Sequence, residues 1–155
     1  MNSLFLQAIA EIAGDNHSGA AQIAERAADI LLRCAGTGEA ASPDAFRQEL
    51  LATGWALIRA QPLMAPLVNL VNAVLWELEA RETPGELRLA VAQATEAFKR
   101  QLRQNAQRVA EGALELIADG STIITISHSG TVAQALLDAR RAGRHFAVIC
   151  LESRP

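Results

Sequence analysis

Residues 121–151 read STIITISHSGTVAQALLDARRAGRHFAVICL, and this stretch decides the fold. Ser121 to Ile126 is a short β-branched run between Asp119-Gly120 and Ser127-His128-Ser129-Gly130. Such a run, bounded by turn residues, predicts a buried strand. Thr131 to Ala142 has helical spacing, with Val132, Ala135 and Leu136 expected inward. His145 to Leu151 predicts a second buried strand, and it ends in the loop Glu152-Ser153-Arg154-Pro155. Strand, helix and strand within about 35 residues form one right-handed βαβ unit with parallel strands.

Upstream of this unit the sequence reads as helix. About a fifth of the residues are Ala, aromatics are 4%, and Tyr is absent. Ala and Leu are the strongest helix formers. Leu4, Leu6, Ile9 and Ile12 predict a first helix that stops near Gly14. Asp15 or Ser18 is placed to cap a second, with Ile23, Ala27, Ile30 and Leu31 inward, ending at Ala35-Gly36-Thr37-Gly38. Ser42-Pro43 starts a third, whose stripe is Phe46, Leu50, Leu51, Trp55 and Ile58. Pro66 begins a fourth, with Leu67, Leu70, Val71, Val74, Leu75 and Leu78 inward. Thr83-Pro84-Gly85-Glu86 is a capping box. A long helix is expected from there to about Ala118, with Leu87, Val91, Ala94, Phe98, Leu102, Val109, Ala113 and Leu116 on one face and a solvated basic face between Lys99 and Arg108. The expected fold is mostly α: an N-terminal helical bundle, residues 1–119, followed by residues 120–155 as the first βαβ unit of a Rossmann-like parallel sheet. Two strands are few for a parallel sheet, which is normally covered on both faces, so the α/β domain is expected to be truncated or completed by another chain.

Composition narrows the function classes. The chain has 155 residues, is 50% hydrophobic and 20% charged, and carries a net charge of −3. The weak acidity argues against nucleic-acid binding, which calls for a basic stripe. No apolar run approaches the roughly 20 residues of a membrane span. The start, MNSLFLQAIAEIAGD, lacks the basic region of a secretory signal. Cys34 and Cys150 make neither a disulfide framework nor a metal pattern. A cytoplasmic protein with reduced thiols is expected, with Cys150 an inert buried thiol. His17 and His145 have no partner at metal-ligand spacing. GxSxG, Walker and GxGxxG patterns are all absent, so no cofactor is called for.

Chemistry is expected beyond the carboxyl ends of the strands, where open α/β sheets bind ligands. Those ends are Ser127 to Gly130 and Glu152 to Pro155. The first also opens a helix. Its free N–H groups, with Ser129 and Thr131 hydroxyls and Gly130 allowing close approach, suit a phosphate. Arg154 offers a fork of donors to the same anion. His128 is the one histidine in this loop, in reach of acid–base work or of a purely solvated role. An ordinary strand-to-helix turn with a capping Ser accounts for the same residues.

Three stretches carry a family resemblance. They are Asp15-Asn16-His17-Ser18-Gly19-Ala20-Ala21 with Ile23-Ala24, then Thr125-Ile126-Ser127-His128-Ser129-Gly130-Thr131-Val132, and FAVICLESRP from Phe146 to Pro155. Their order and spacing resemble the translation initiation factor 2B alpha/beta/delta subunit family. Its members include regulatory subunits of the nucleotide exchange complex, methylthioribose-1-phosphate isomerase and ribose-1,5-bisphosphate isomerase. The resemblance implies a helical domain joined to a Rossmann-like domain, dimers formed through that second domain, and a pocket between the two for phosphorylated sugars or nucleotides. It also implies that only the N-terminal half of the family fold is present. The resemblance puts Ser18, Gly19, Ser127, His128, Ser129, Gly130, Thr131, Glu152 and Arg154 at the ligand.

The departures bear on catalysis. Ser127 stands where the isomerases have a cysteine in a T-H-C-N-S-G type loop, and a hydroxyl is a far poorer acid than a thiol. Ser18 stands where they have an arginine, and Gln61, before Pro62, where they have another. These changes point to a non-catalytic binding protein. The alternatives are an aldose–ketose isomerase acting on a ribose-1-phosphate, with His128 as its acid–base group, and a family fragment without a working pocket. The resemblance further implies a homo- or hetero-oligomer if the full domain exists.

Overall fold

Ser42 shows how directly the local sequence sets the helices. Its side chain accepts a hydrogen bond from the Ala45 N–H, and Pro43 opens the first turn behind it. Thr83 and Glu86 form the expected reciprocal box: the Thr83 hydroxyl accepts from the Glu86 N–H, and the Glu86 carboxylate accepts from Thr83 and Glu82. Those N–H groups hold the Glu86 carboxyl below its usual range. The computed structural model describes residues 3–37 and 42–152. It comprises α1 (Ser3–Ala13), α2 (Ala20–Thr37), α3 (Pro43–Ala60), α4 (Ala65–Leu78), α5 (Pro84–Ala113), β1 (Thr122–Ile126), α6 (Gly130–Arg141) and β2 (Ala147–Leu151). The chain divides into two compact units, residues 1–100 and 101–155, with the division inside α5.

The helical unit has one core. Ile12, Ile23, Ile30, Leu31, Leu57, Leu67, Leu70, Val74, Leu78, Leu87 and Val91 are all fully or almost fully buried. Each such side chain contributes on the order of 1.5–3 kcal/mol of burial free energy. On α1 the inward residues are Phe5, Ile9 and Ile12, while Leu4 and Leu6 face solvent. The stripe expected on α3 is corrected in the same way. Trp55 is 53% exposed and Leu51 is also exposed. Thr53 and Gly54 take the inward positions with Phe46, Leu50 and Leu57. Thr53 is tolerated in the core because its hydroxyl donates to the Glu49 carbonyl, 2.9 Å away, and lies 3.5 Å from the Cys34 sulfur. Gly54 is required by close approach: a Cβ there would lie 2.8 Å from Cγ1 of Val71 on α4. Burial pushes the Cys34 thiol up.

Lys99 departs from the expected solvated face. It is 9% exposed and its ammonium donates to Asp29 on α2 and to Glu96 one turn back. The bond to Asp29 raises its pKa above the usual lysine value. An opposite charge on a neighbouring helix thus turns a basic position into a cross-brace.

In the α/β unit, β1 and β2 pair in parallel, with Thr122 opposite Ala147 and Ile126 opposite Leu151. The single crossover is α6. The strands are not buried as expected. Every residue of β2 is exposed, and in β1 only Ile123 and Thr125 are half-buried. Parallel register puts Ile124, Ile126, Ile149 and Leu151 on one face, and all four are open to solvent. The sheet has two strands among the described residues, so one face lacks the second layer that would bury it. Cys150, opposite Thr125 on the other face, is exposed too rather than buried, and Val109, Leu116 and Val132 are exposed as well. The long helix stops at Ala113 rather than near Ala118. The guanidinium of Arg144 donates to the carbonyls of Leu114 and Ile117, which satisfies there what another helical turn would otherwise satisfy.

Candidate functional site

The turn between β1 and α6 gathers five of the expected site residues. Ser127 has φ of 63°, and it is the one non-glycine residue with positive φ among those described. A left-handed conformation at a residue with a β-carbon is costly and marks a constrained position. The Ser127 N–H still donates to the Leu151 carbonyl, 3.4 Å away, so the ladder runs one residue past β1. His128 follows and is exposed. Ser129 is the N-cap of α6: its hydroxyl accepts from Val132 N–H at 3.4 Å, and its carbonyl accepts from Ala133 N–H at 2.9 Å. Gly130 and Thr131 then occupy the first turn, where backbone N–H groups have no intrahelical acceptor. Those two N–H groups and the positive end of the α6 dipole face one exposed turn. The register brings Glu152, one residue after Leu151, beside the same end of the sheet. Arg154, with Ser153 and Pro155, lies outside the described residues.

Ser18 and Gly19 belong to the helical unit, in the loop between α1 and α2. This loop is held from within. Asp15 Oδ1 accepts from the N–H groups of His17 at 3.0 Å and Ser18 at 2.8 Å, and Asp15 Oδ2 accepts from Arg26 at 2.6 Å. These donors, Ser18 first, hold the Asp15 carboxyl far below the usual carboxylate range. The Gly19 N–H donates to the Gln22 side chain at 3.1 Å. Asp15 therefore closes the loop rather than capping the first turn of α2. The N–H groups of Ser18 and Gly19 are already engaged, and the neighbouring group is an ionised carboxylate. That arrangement opposes a second anion at these two amides.

Gln61 has a definite place in this arrangement. Its amide nitrogen donates to the carbonyls of Ile12 at 3.0 Å and Asp15 at 3.3 Å. It ties the end of α3 to the end of α1. From the sequence, Gln61 reads as the place of an arginine and Asp15 as a helix cap, while Arg26 has no role assigned. The spacing of Asp15 to the N–H groups two and three residues on is that of an Asx turn, so half of the network was readable. The contribution of Gln61 arises from a contact 46 to 49 residues away in sequence and leaves no local signal.

Groups of three or more His, Cys, Asp or Glu able to hold a metal ion are absent among the described residues. No helix of the described residues is long and apolar enough to cross a membrane.

A helical bundle leading into a parallel βαβ unit, with a constrained serine turn at the strand end, defines a protein with the beginning of a Rossmann-like ligand fold. Residues 16–155 match the initiation factor 2 subunit family, and the chain belongs to that family. It is 32% identical over 145 residues to ribose 1,5-bisphosphate isomerase of Haloterrigena turkmenica, covering 94% of this chain and 44% of that protein. The translation initiation factor eIF-2B of Pyrococcus horikoshii OT3 superposes with a TM-score of 0.86 at 24% identity, over 100% of this chain and 52% of that one. A subunit of the tetrameric eIF2B-beta2-delta2 complex from C. thermophilum superposes with a TM-score of 0.78 at 22% identity, over 97% of this chain and 50% of that one. The chain spans about half the length of the relatives it matches.

Proposed function

We propose that this chain is a non-catalytic member of its family that binds a phosphorylated sugar or nucleotide at the turn between β1 and α6. One observation carries the reading. The serine in the left-handed conformation, Ser127, sits at the carboxyl end of β1, next to a helix N-terminus with unclaimed N–H groups. The phosphate is taken by the N–H groups of Gly130 and Thr131 and the Thr131 hydroxyl, and Ser127 and His128 border the sugar. Glu152 accepts hydrogen bonds from ligand hydroxyls, and Arg154 adds positive charge. The N–H groups of Ser18 and Gly19 are spent on Asp15 and Gln22, so these two residues offer no amide donors to a phosphate. Ser127 stands where the isomerases have a cysteine, and a hydroxyl is a far poorer acid than a thiol, which favours binding over turnover. The protein acts in the cytoplasm and, where the full α/β domain is present, within a homo- or hetero-oligomer, a reading supported by the tetrameric assembly of its structural neighbour.

The test is a thermal-shift titration of the chain with ribose-1-phosphate, ribose-1,5-bisphosphate and nucleoside monophosphates. A ligand at 100 times its dissociation constant adds about 2.7 kcal/mol of stability. A saturable shift with one class, lost in Gly130→Pro, is the expected result. No shift with any of them refutes the reading for this chain.

The similarity to ribose 1,5-bisphosphate isomerase favours a second reading, an aldose–ketose isomerase with His128 as acid–base group. Its test is formation of a ribulose phosphate from a ribose-1-phosphate. Ser127→Cys should then raise the rate, and no product with either form eliminates this reading.

A further inference from the structure

The two compact units differ in what holds them together. The core cluster of the helical unit runs from Phe5 to Ala94, with Phe98 packed against it. Beyond residue 100, four apolar side chains are buried among the described residues: Ala110, Ile117, Ala135 and Ala139. Three of these are alanines, and each buries a single methyl group. Ile123, Leu136 and Phe146 are half-buried. Hydrophobic stabilisation grows with the apolar area removed from water, while the entropy cost grows with the number of residues ordered. Chains below about 70 residues rarely supply a sufficient core, and this unit spans residues 101–155. Two polar atoms add to the deficit. Ser121 Oγ and Asp138 Oδ2 are buried without a hydrogen-bond partner among the described residues, and an unpaired buried polar atom costs stability. Both belong to the α/β unit.

Polar ties close the unit instead. Where the strands begin, the His145 N–H donates to Asp119 Oδ1 at 2.6 Å, the Gly120 N–H to the His145 carbonyl at 2.6 Å and the Ala147 N–H to the Ser121 carbonyl at 3.0 Å. Arg144 donates beside them to the carbonyls of Leu114 and Ile117. Where the strands end, the Ser127 N–H donates to the Leu151 carbonyl at 3.4 Å. Each tie joins a segment before α6 to a segment after it, so separating the strands breaks all of them together. Separation also releases α6, whose buried side is Ala135 and Ala139. We infer that residues 120–152 open as one cooperative unit while the helical core stays closed, and that a phosphorylated ligand at the β1–α6 turn binds by holding this unit closed. The second part rests on the proposed function: the turn has its left-handed Ser127 and its helix N-terminus only in the closed form. Folding of the unit makes the site, and occupancy of the site is felt at the opposite end of the strands.

Native-state amide exchange of the full chain, followed by NMR, tests it. Without ligand, the bonded amides of β1, α6 and β2 are expected to share one protection factor, about 100-fold or more below that of Leu70 in α4. Ala133→Gly, at an exposed position of α6, should speed exchange at Thr125 and Ile149 by about fourfold to fivefold and leave Leu70 unchanged. Protection in β1 and β2 equal to that at Leu70 overturns the separate opening. An effect of Ala133→Gly confined to α6 overturns its cooperativity. Ribose-1-phosphate, ribose-1,5-bisphosphate and adenosine monophosphate are then added in turn, each at about 100 times its calorimetric Kd. The expected result with one of them is exchange about 100-fold slower, to the same extent at Ser127 and at Ala147. Slowing confined to residues 127–133 overturns the coupling. Binding of none of the three refutes the proposed function and the coupling with it, while the ligand-free pattern still decides the separate opening.

Discussion

Leu70 and Ile124 are both aliphatic and both sit mid-element, yet Leu70 is wholly buried and Ile124 is 64% exposed. The contrast separates the two compact units. In the helical unit, each apolar stripe meets another helix, and the core closes within the unit. In the α/β unit, the strands form, pair in register and connect through α6, while one sheet face stays bare. Secondary structure and pairing are thus decided by local pattern and backbone hydrogen bonding. Burial is decided separately, by whether a second layer is present to receive the face.

The sharpest way to break this comparison is to truncate one residue on each side of it. Leu70→Ala should lose about 3–5 kcal/mol in urea unfolding, since its side chain leaves a cavity in a closed core. Ile124→Ala should change stability by less than about 0.5 kcal/mol, because its side chain already contacts water. Similar losses at the two sites would mean that the sheet face is covered in solution.

A second change probes how tightly the helical unit is packed. Gly54→Ala should cost about 1–3 kcal/mol, because its Cβ would press on Val71. The cost should shrink in a Val71→Ala background, measured as a double-mutant cycle. An equal cost in both backgrounds would assign the effect to the backbone instead.

Trp55→Ala should cost less than about 1 kcal/mol at concentrations where the chain is monomeric. A loss of about 3–5 kcal/mol would return Trp55 to the core.

The smallest effects are in pH dependence, and they belong to the helical unit. Asp15 has a depressed pKa, so its contribution is complete above the ordinary carboxylate value near about 4 and is lost as pH falls through its folded value. Amide exchange at Ser18, followed through the acid range, should report that loss and should not show it in Asp15→Asn. Lys99 has a raised pKa, so its contribution is complete below the ordinary lysine value near about 10.4 and is lost as pH rises through the folded one. Lys99→Met should flatten the alkaline limb of the stability curve, and an unchanged limb would remove the bond to Asp29 from the account.

Much of the fold was legible because its signals are local. Ser42-Pro43 and the box at Thr83 to Glu86 fix helix starts within four residues, and the β-branched run before Ser127 fixes a strand. The parallel pairing follows from the crossover. What escaped reading depends on partners far along the chain. Thr53 is polar and buried because it finds Glu49 and Cys34, while Trp55, two residues on, is apolar and exposed. Lys99 is buried because Asp29 stands on another helix. For the candidate site, the turn at Ser127 to Thr131 was readable from a strand end followed by a helix start. The left-handed φ of Ser127 was not, since nothing about a serine announces it. Gln61 was visible as a residue, but its hold on the ends of α1 and the loop was not.

Arg144 has one more consequence. Its guanidinium bridges Ile117 and the entrance to β2 across 27 residues, with β1 and α6 inside the ring. Topologically this is a crosslink, closing a loop of the kind a disulfide would close and limiting the same chain freedom while it holds. It differs from a disulfide in redox terms. Cys34 and Cys150 are free thiols, so this ring is as secure under reducing conditions as under oxidising ones, and it reopens only when the arginine lets go.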